Sequence, residues 1–584
     1  MAEAVALAAS HAPAPATPYP IAAHRLVGGG RSAALLRPDG EVDWWCAPDP
    51  DSPPVLWSLL DPVRGTSARW LDARMVRASE DPAGPTARTT LALLGNGRRF
   101  TCWDGVLELD GSVVLARLVR GEDGNVEVTH EVGGVTSSLV APAGRWAGLV
   151  VGPGPSVRPA DERVETLLEE AERAAAAAME HVRLPKLHPG RAADALAVLR
   201  ACTYEPTGAV VAAVTTSLPE APGAGRQWDY RFSWLRDASL AVSVAALLGQ
   251  KTGAERYLRF VRRIVDGHGV PGVPVTDVRG GEVPAEREVP GLRGWAGSQP
   301  VRVGNEAAGQ LQYDSLGLVL EAISVHVQAG GSLDDDTWAT VRRVAGGMVD
   351  HGDPGPSSGI WELRDERPLV SADVGRWLAL DRALWIARGW RAWDALADRR
   401  RWKRERDRSR ERVLAALGED GSLPQWYGQD PPVPDASALM IPMFGMLGRS
   451  DPRAARLVDW VVSRLEAWPF LYRYPPGSDG LDGREGAFLP VSWWAAGALA
   501  AVGRLDEAGE RVDAMCARLP RLLAEEVDPV DGAGLGNVPL VWSHAEAART
   551  MYLLDAARRR KRWGATGLWV WRLGRYASMR WGRS

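Results

Sequence analysis

Residues 226–265 read RQWDYRFSWLRDASLAVSVAALLGQKTGAERYLRFVRRIV, and their three-part pattern decides the fold. The first twelve, Arg226 to Asp237, hold three arginines, two aspartates and four aromatic residues, too polar and too aromatic for a plain connector. The segment SLAVSVAALLGQ then sets apolar residues at helical spacing, a turn follows at Gly249–Gly253, and TGAERYLRFVRRIV repeats the period. A long, chemically rich loop at one end and a tight glycine turn at the other describe a helical hairpin with a decorated mouth.

The same alternation continues to about residue 560, with room for about twelve helices after 190. Six connections are long: 226–237, 291–305, 355–371, 424–436, 470–493 and 523–544. Loops of that length inside a compact domain are usually functional. Six hairpins closed into a ring, with the long loops around one mouth, make an (α/α)6 barrel. A superhelical repeat scaffold also stacks hairpins, but no fixed repeat period is present, which favours the closed barrel.

Upstream, residues 19–158 carry short apolar runs broken by Asp39–Gly40, Asn96–Gly97, Asp104–Gly105 and Asp110–Gly111, the punctuation of an antiparallel β-sandwich. Residues 159–190, rich in Ala and Glu, read as a helical link to a barrel spanning 191–562. Residues 1–18 read as a disordered Ala/Pro arm and 563–584 as a basic aromatic tail. The chain is thus expected to be multidomain, an N-terminal antiparallel β-sandwich followed by an all-α (α/α)6 barrel.

Composition narrows the function. A net charge of −4 argues against general nucleic-acid binding. The N-terminus lacks a basic region before an apolar core, and no apolar run approaches a membrane span, so a cytoplasmic location is expected. Cys46, Cys102, Cys202 and Cys516 are scattered and read as free thiols. No metal-ligand cluster, phosphate loop or nucleophile motif appears, so no cofactor and no metal is expected. The 26 Trp against 6 Phe and 10 Tyr fit either a Trp-rich core or flat platforms for sugar rings.

Hydrolysing an acetal needs one carboxylic acid for the leaving oxygen and one carboxylate on the other face of the sugar. In the first loop Arg236–Asp237 can hold adjacent hydroxyls, although Asp237 could equally cap the following helix. Glu362 follows Trp361, an apolar setting that would raise a carboxyl pKa and suit a general acid; pairing with Arg364 is the plainer reading. Glu525 opens the acidic run Glu525-Glu-Val-Asp528-Pro-Val-Asp531, which on charge alone reads as a solvated turn.

Ordered along the chain, further motifs change that balance. They are Arg31-Ser-Ala-Ala-Leu-Leu, Asp39-Gly-Glu-Val-Asp-Trp44, Thr215-Thr-Ser-Leu-Pro-Glu220, Trp234-Leu-Arg-Asp237 and Pro300-Val-Arg-Val-Gly-Asn305. Gln310-x-Gln312-x-Asp314, Gly359-Ile-Trp-Glu362, Trp377-Leu-Ala-Leu-Asp-Arg-Ala383, Glu485-Gly-Ala-Phe488, Glu525-Glu-Val-Asp-Pro529 and Leu535-Gly-Asn537 follow. Together they resemble glycoside hydrolase family 15, the glucoamylases, glucodextranases and bacterial trehalase-like enzymes, from about Tyr19 to Leu554. The resemblance implies a β-sandwich before an (α/α)6 barrel and an inverting, exo-acting enzyme that releases glucose from α-glucosides. It implies Glu362 as general acid and Glu525 as general base, roughly 6.5–9.5 Å apart with a water between base and sugar. Trp234, Arg236, Asp237, Trp361, Arg302 and Asn305 are the implied substrate-binding positions.

Four stretches depart from the family pattern: Leu369-Val-Ser-Ala-Asp-Val-Gly375, Ser357–Ser358, Gln227 and Gly29–Gly30. The expected partner is a small-molecule or oligosaccharide α-glucoside such as trehalose or a malto- or isomaltooligosaccharide. A non-catalytic sugar binder and an α-glucosyl transferase are the alternatives. The C-terminal stretch from Arg558, with nine basic residues and no acid, could pack on the barrel with a solvated basic face. It could instead make weak contact with an anionic membrane surface. The sequence carries no signal for oligomeric state.

Overall fold

The computed structural model describes residues 19–79 and 84–581 of the protein. The arm expected over residues 1–18 lies outside the described residues. Two antiparallel sheets come first. One runs Arg25–Gly29, Ser32–Leu36, Val42–Cys46, Ala68–Trp70, Val126–Val132, Val135–Ala141, with Pro54–Leu56 paired to the third. The other runs Val157–Pro159, Ala147–Val151, Ser112–Gly121, Arg99–Leu109, Thr86–Leu93, Ala73–Ala78. Val27, Trp45, Leu56, Val106, Leu115 and Val132 fill the space between them.

Arg117 bridges this core with no exposed surface. Its Nε donates to Asp104 (2.7 Å), and its terminal nitrogens donate to the carbonyls of Ala68 (2.6 Å) and Gly40 and to His130 (3.1 Å). A buried charge survives where its attraction to a partner and its hydrogen bonds offset desolvation.

Helix α1 (Glu162–Met179) begins at an Asp161 cap. It lies on the second sheet, where Val164 and Leu168 join Trp103, Leu118 and Val150. It therefore caps the sandwich as well as leading to the barrel.

Twelve helices follow: α2 (Pro189–Ala201), α3 (Leu235–Leu248), α4 (Lys251–His268), α5 (Tyr313–Ala329), α6 (Asp335–Asp350), α7 (Val370–Trp390), α8 (Arg399–Ala416), α9 (Met440–Phe444), α10 (Pro452–Leu465), α11 (Leu489–Ala501), α12 (Leu505–Arg518) and α13 (Val541–Trp581). Alternate ones differ in kind. α3, α5 and α11 are buried nearly all round. α4 buries one side, Ala254, Tyr257, Leu258, Phe260, Val261, Ile264 and Val265, as an outer helix does.

The inner helices close a ring: α3 on α5, α5 on α7, α7 on α9, α9 on α11, α11 on α13, and α13 back on α3. The protein is a β-sandwich followed by an (α/α)6 barrel, and closure rules out the superhelical scaffold. α5 and α7 approach closely because Gly317 and Gly375 face each other's backbone; a Cβ on Gly375 would lie 2.4 Å from the Cα of Asp314.

The sandwich packs on the barrel without a gap. Trp44 donates its indole N–H to the Val214 carbonyl (2.7 Å), and Leu26, Leu35 and Trp44 share one apolar core with the barrel helices. Cys46, Cys102 and Cys202 are buried free thiols and Cys516 is a half-buried one. No helix among the described residues is long and apolar enough to cross a membrane.

The last helix breaks at Gly564 (φ 69°) and turns back on the barrel. There Trp571 packs on Tyr552, and Arg575 donates to the carbonyls of Arg183 (2.7 Å) and Leu247 (2.5 Å). Its opposite face stays in solvent.

Replacing Arg117 by Met strands Asp104 and three buried acceptors, and should destabilise the protein by about 3–5 kcal/mol. Urea denaturation of the full chain measures it; a loss below about 1 kcal/mol would show that the sandwich does not depend on this charge.

Candidate active site

One end of the barrel opens into a cavity, and five of the six long loops supply its walls. Loop 226–237 contributes Trp228, Tyr230, Trp234 and Arg236, and loop 355–371 contributes Ile360 to Arg364. Loop 470–493 adds Arg473, Tyr474, Asp479 and Phe488, and loop 523–544 adds Glu525, Leu540 and Trp542. Asn305 closes loop 291–305 at the same wall. The sixth loop, 424–436, delivers Asp435 behind the wall, where it accepts from the indole N–H of Trp361 (2.8 Å) and from Gln425 (2.7 Å).

Glu362 is presented by strained backbone. Its φ is +59°, a left-handed conformation that costs a residue with a side chain about 1–2 kcal/mol. Two turn hydrogen bonds hold it there, Glu362 N–H to the Gly359 carbonyl (3.1 Å) and Leu363 N–H to that of Ser358 (2.9 Å). Strain of this kind clusters at functional sites. The Glu362 side chain is 24% exposed and accepts from Arg236 at 3.3 Å. The apolar enclosure expected around Glu362 is not there, because the Trp361 ring turns into a cluster with Phe488, Trp494 and Trp542.

Glu525 is the enclosed carboxyl, 5% exposed. Only the second half of the acidic run forms the expected solvated turn, with Asp531 exposed; Glu525 and Glu526 are buried. Glu526–Val527 pairs with Ala487–Phe488 on one side and Gly534–Leu535 on the other, and the Glu525 carbonyl accepts from the Leu489 N–H (2.9 Å). Gly536 (φ +82°) lets the return strand pass the carboxyl; a Cβ there would sit 3.2 Å from that of Glu525. The Tyr230 hydroxyl donates to Glu525 Oε1 (3.1 Å). Burial pushes the Glu525 carboxyl up to about 7, against the pull of Arg473 and the hydrogen bonds from Glu220 and Tyr230.

Arg236 ties the two sides together. Its guanidinium lies 4.0 Å over the Trp542 ring, and its Nε donates to Asp237 (3.0 Å). Asp237 is fully buried behind it and does not line the cavity. Trp234 and Trp361 line the wall. Asn305 spends its amide on the Asp229 carbonyl (3.1 Å) and on capping a short 3-10 turn, Glu306–Gly309. Arg302 stands outside the cavity lining, holding the carbonyls of Gly225 (2.9 Å) and Gln227 (2.8 Å).

Sequence reasoning missed the group beneath Glu525. Glu220, Glu485 and Glu526 bring oxygens within 4.8 Å of one another, a spacing a metal ion could use. A cation is already there: Arg473 lies 2.7 Å from Glu485, 3.8 Å from Glu220 and 4.0 Å from Glu526. Glu220 and Glu485 belong to motifs noticed above, but nothing local to either signals that they meet.

With this geometry in view, relatives can be compared. The sequence model of Glycosyl hydrolases family 15 matches residues 193–519, and that of a trehalase-like N-terminal domain matches residues 14–70. The trehalase of Mycolicibacterium smegmatis is 27% identical over 607 residues, covering 90% of both chains. That of Thermoplasma acidophilum is 33% identical over 373 residues, 63% of this chain and 62% of its own. A bacterial glucoamylase solved with acarbose superposes with a TM-score of 0.62 at 12% identity, covering 94% of this chain and 97% of that one, a likeness of fold. The family match spans more than half of the chain: this protein belongs to glycosyl hydrolases family 15 and is a glycoside hydrolase.

Proposed function

We propose that the protein releases glucose from an α-glucoside with inversion, Glu362 acting as general acid and Glu525 as general base. The observation that carries this reading is the presence of both carboxyls in one cavity, one open and one enclosed. Glu362 gives its proton to the glycosidic oxygen as the bond to the anomeric carbon breaks. Glu525 takes a proton from a water as that oxygen bonds to the same carbon. Arg236, set between Glu362 and Asp237, is the hydroxyl-holding group, with Asp237 fixing its orientation. Trp234, Trp361 and Trp542 supply the apolar wall for the ring.

Trehalose is the first substrate to test, because relatives covering 90% of this chain are named trehalases. Asn305 and Arg302, implied as sugar contacts by family likeness, are read instead as supports for loops 225–229, since their polar groups are already engaged.

A glucose-release screen on trehalose, maltose, isomaltose and starch should find activity on at least one. Glu362→Gln and Glu525→Gln should each lower kcat by about 10²–10⁴-fold. Full activity in either variant removes that residue's role, and silence of the native protein on every substrate removes the reading. The glucose from the attacked ring should appear first as the β-anomer, so trehalose should give one β- and one α-glucose, which NMR resolves.

Glu525 works only when ionised, so kcat/KM should fall as pH drops through about 7, where burial sets this carboxyl. An acid limb at the ordinary carboxylate value, near pH 4–5, would contradict the enclosure of Glu525.

A further inference from the structure

Beneath the proposed base lies a carboxyl that the mechanism above does not use. Glu220 is 2% exposed, and its Oε1 lies 3.5 Å from the Tyr230 hydroxyl, which also reaches Glu525 Oε1 at 3.1 Å. A phenol has one proton to donate, so it cannot satisfy two ionised carboxylates. The shorter contact takes it to Glu525. Around the pair, Glu220 Oε2, Glu525 Oε2, Glu485 Oε1 and Glu526 Oε1 are all buried without a conventional donor. Arg473 is committed to Glu485 through two nitrogens (2.9 and 2.7 Å), and Glu526 Oε2 takes the Gly486 N–H (2.8 Å). Arg226 is committed to Asp479 at 2.7 and 2.8 Å.

Building on the assignment of Glu525 as base, we propose that Glu220 is its positioning residue: a neutral carboxylic acid that shares its proton with Glu525 and keeps the base ionised and aimed. The proton supplies one of the donors that the orphaned oxygens lack, and the two carboxyls meet at the shared Tyr230 hydroxyl. No covalent bond changes at Glu220, and the water's proton still goes to Glu525. Burial and the Glu525 charge both favour the protonated form of Glu220; of the groups facing it, Arg473 opposes this and Glu485 adds to it.

The test compares Glu220→Gln with Glu220→Leu in the full-length enzyme, folding being checked by circular dichroism and Tm. Gln keeps a neutral donor, so the acid limb of kcat/KM should stay in place and more activity should survive than with Leu. Leu removes the donor, so kcat should fall about 10-fold or more and the limb should move up by about one pH unit. A limb that moves down in Glu220→Gln would mean that Glu220 is ionised in the native enzyme, and the proposal fails. Native rate and profile in Glu220→Leu overturn it too. The assignment of Glu525 is judged separately: if Glu525→Gln stays active, the base reading has failed whatever Glu220 does.

The returning tail carries a second inference on its own evidence. On its outward face Trp569, Val570 and Leu573 are 60%, 57% and 48% exposed, at helical spacing. Arg572 and Arg580 flank them in solvent, and no acid follows Asp555. The geometry points to a membrane surface rich in anionic lipid as the partner of this face, apolar side chains entering the headgroup boundary and arginines meeting lipid charge. The full chain should co-sediment with vesicles of equal parts phosphatidylglycerol and phosphatidylcholine, about 10-fold more than with phosphatidylcholine alone. High salt and the double change Trp569→Ser with Leu573→Ser should each abolish it. No binding, or binding indifferent to that change, overturns the proposal. Self-association that the same change removes would assign the face to a second copy of the chain instead.

Discussion

Arg473 keeps only 11% of its side chain exposed, and Glu220, Glu485 and Glu526 all turn toward it, with Glu525 close by. One guanidinium cannot balance four carboxylates in a low-dielectric interior, and the second arginine within reach, Arg226, is already paired with Asp479. The excess negative charge is relieved by keeping protons, which is why burial and mutual repulsion push Glu220 and Glu526 well above the usual carboxylate range. Everything near the base follows from that. The strand pairing of Glu526–Val527, the glycine at 536 and the Tyr230 hydroxyl all serve to hold a carboxyl where it would not sit unaided.

The opposite wall is built on another principle. Glu362 is not enclosed; it is held out by left-handed backbone and kept in register by Arg236. The aromatic mass that the sequence places next to it supports the wall from behind, with Asp435 fixing the Trp361 ring. An acid that must reach a leaving group needs access, whereas a base that must activate a single water gains from a dry, shaped recess. The two carboxyls therefore divide the cavity into an open and a closed half, and Arg236 over Trp542 is the hinge of that arrangement.

Much of this was legible in the chain. The uneven connections announced the barrel because loop length and helix period are local properties, and the first loop announced its own importance through density of Arg, Asp and aromatic residues. The Trp excess goes largely into the core: Trp44, Trp45 and Trp103 are buried there, and Trp234, Trp361 and Trp542 are nearly as buried where they line the cavity. What the sequence hid was long-range. Glu525 looked solvated because acids before a turn usually are; it is buried where the next two residues, Glu526–Val527, pair with 487–488 and 534–535. Glu220 and Arg473 are separated by some 250 residues, and nothing near either shows that one neutralises the other. Trp361 beside Glu362 suggested an apolar jacket, but adjacency in sequence does not set the direction of a ring.

The departures from the family pattern lie behind the cavity rather than in its lining. Leu369–Gly375 forms the lip and first turns of α7, where Leu369 packs under Gly359 and Gly375 seats against α5. Asp373 in that stretch is satisfied internally by Arg412 and by the Tyr427 hydroxyl (2.8 Å). Ser357 and Ser358 spend their backbone on Arg367 and Leu311, and the Gln227 side chain donates to the Ala224 carbonyl (2.5 Å). None of these side chains lines the cavity. They therefore act on the substrate only through the loops they brace. Besides the aromatic groups and the two carboxyls, the charged residues Glu286, Glu306, Arg364 and Asp479 line the cavity.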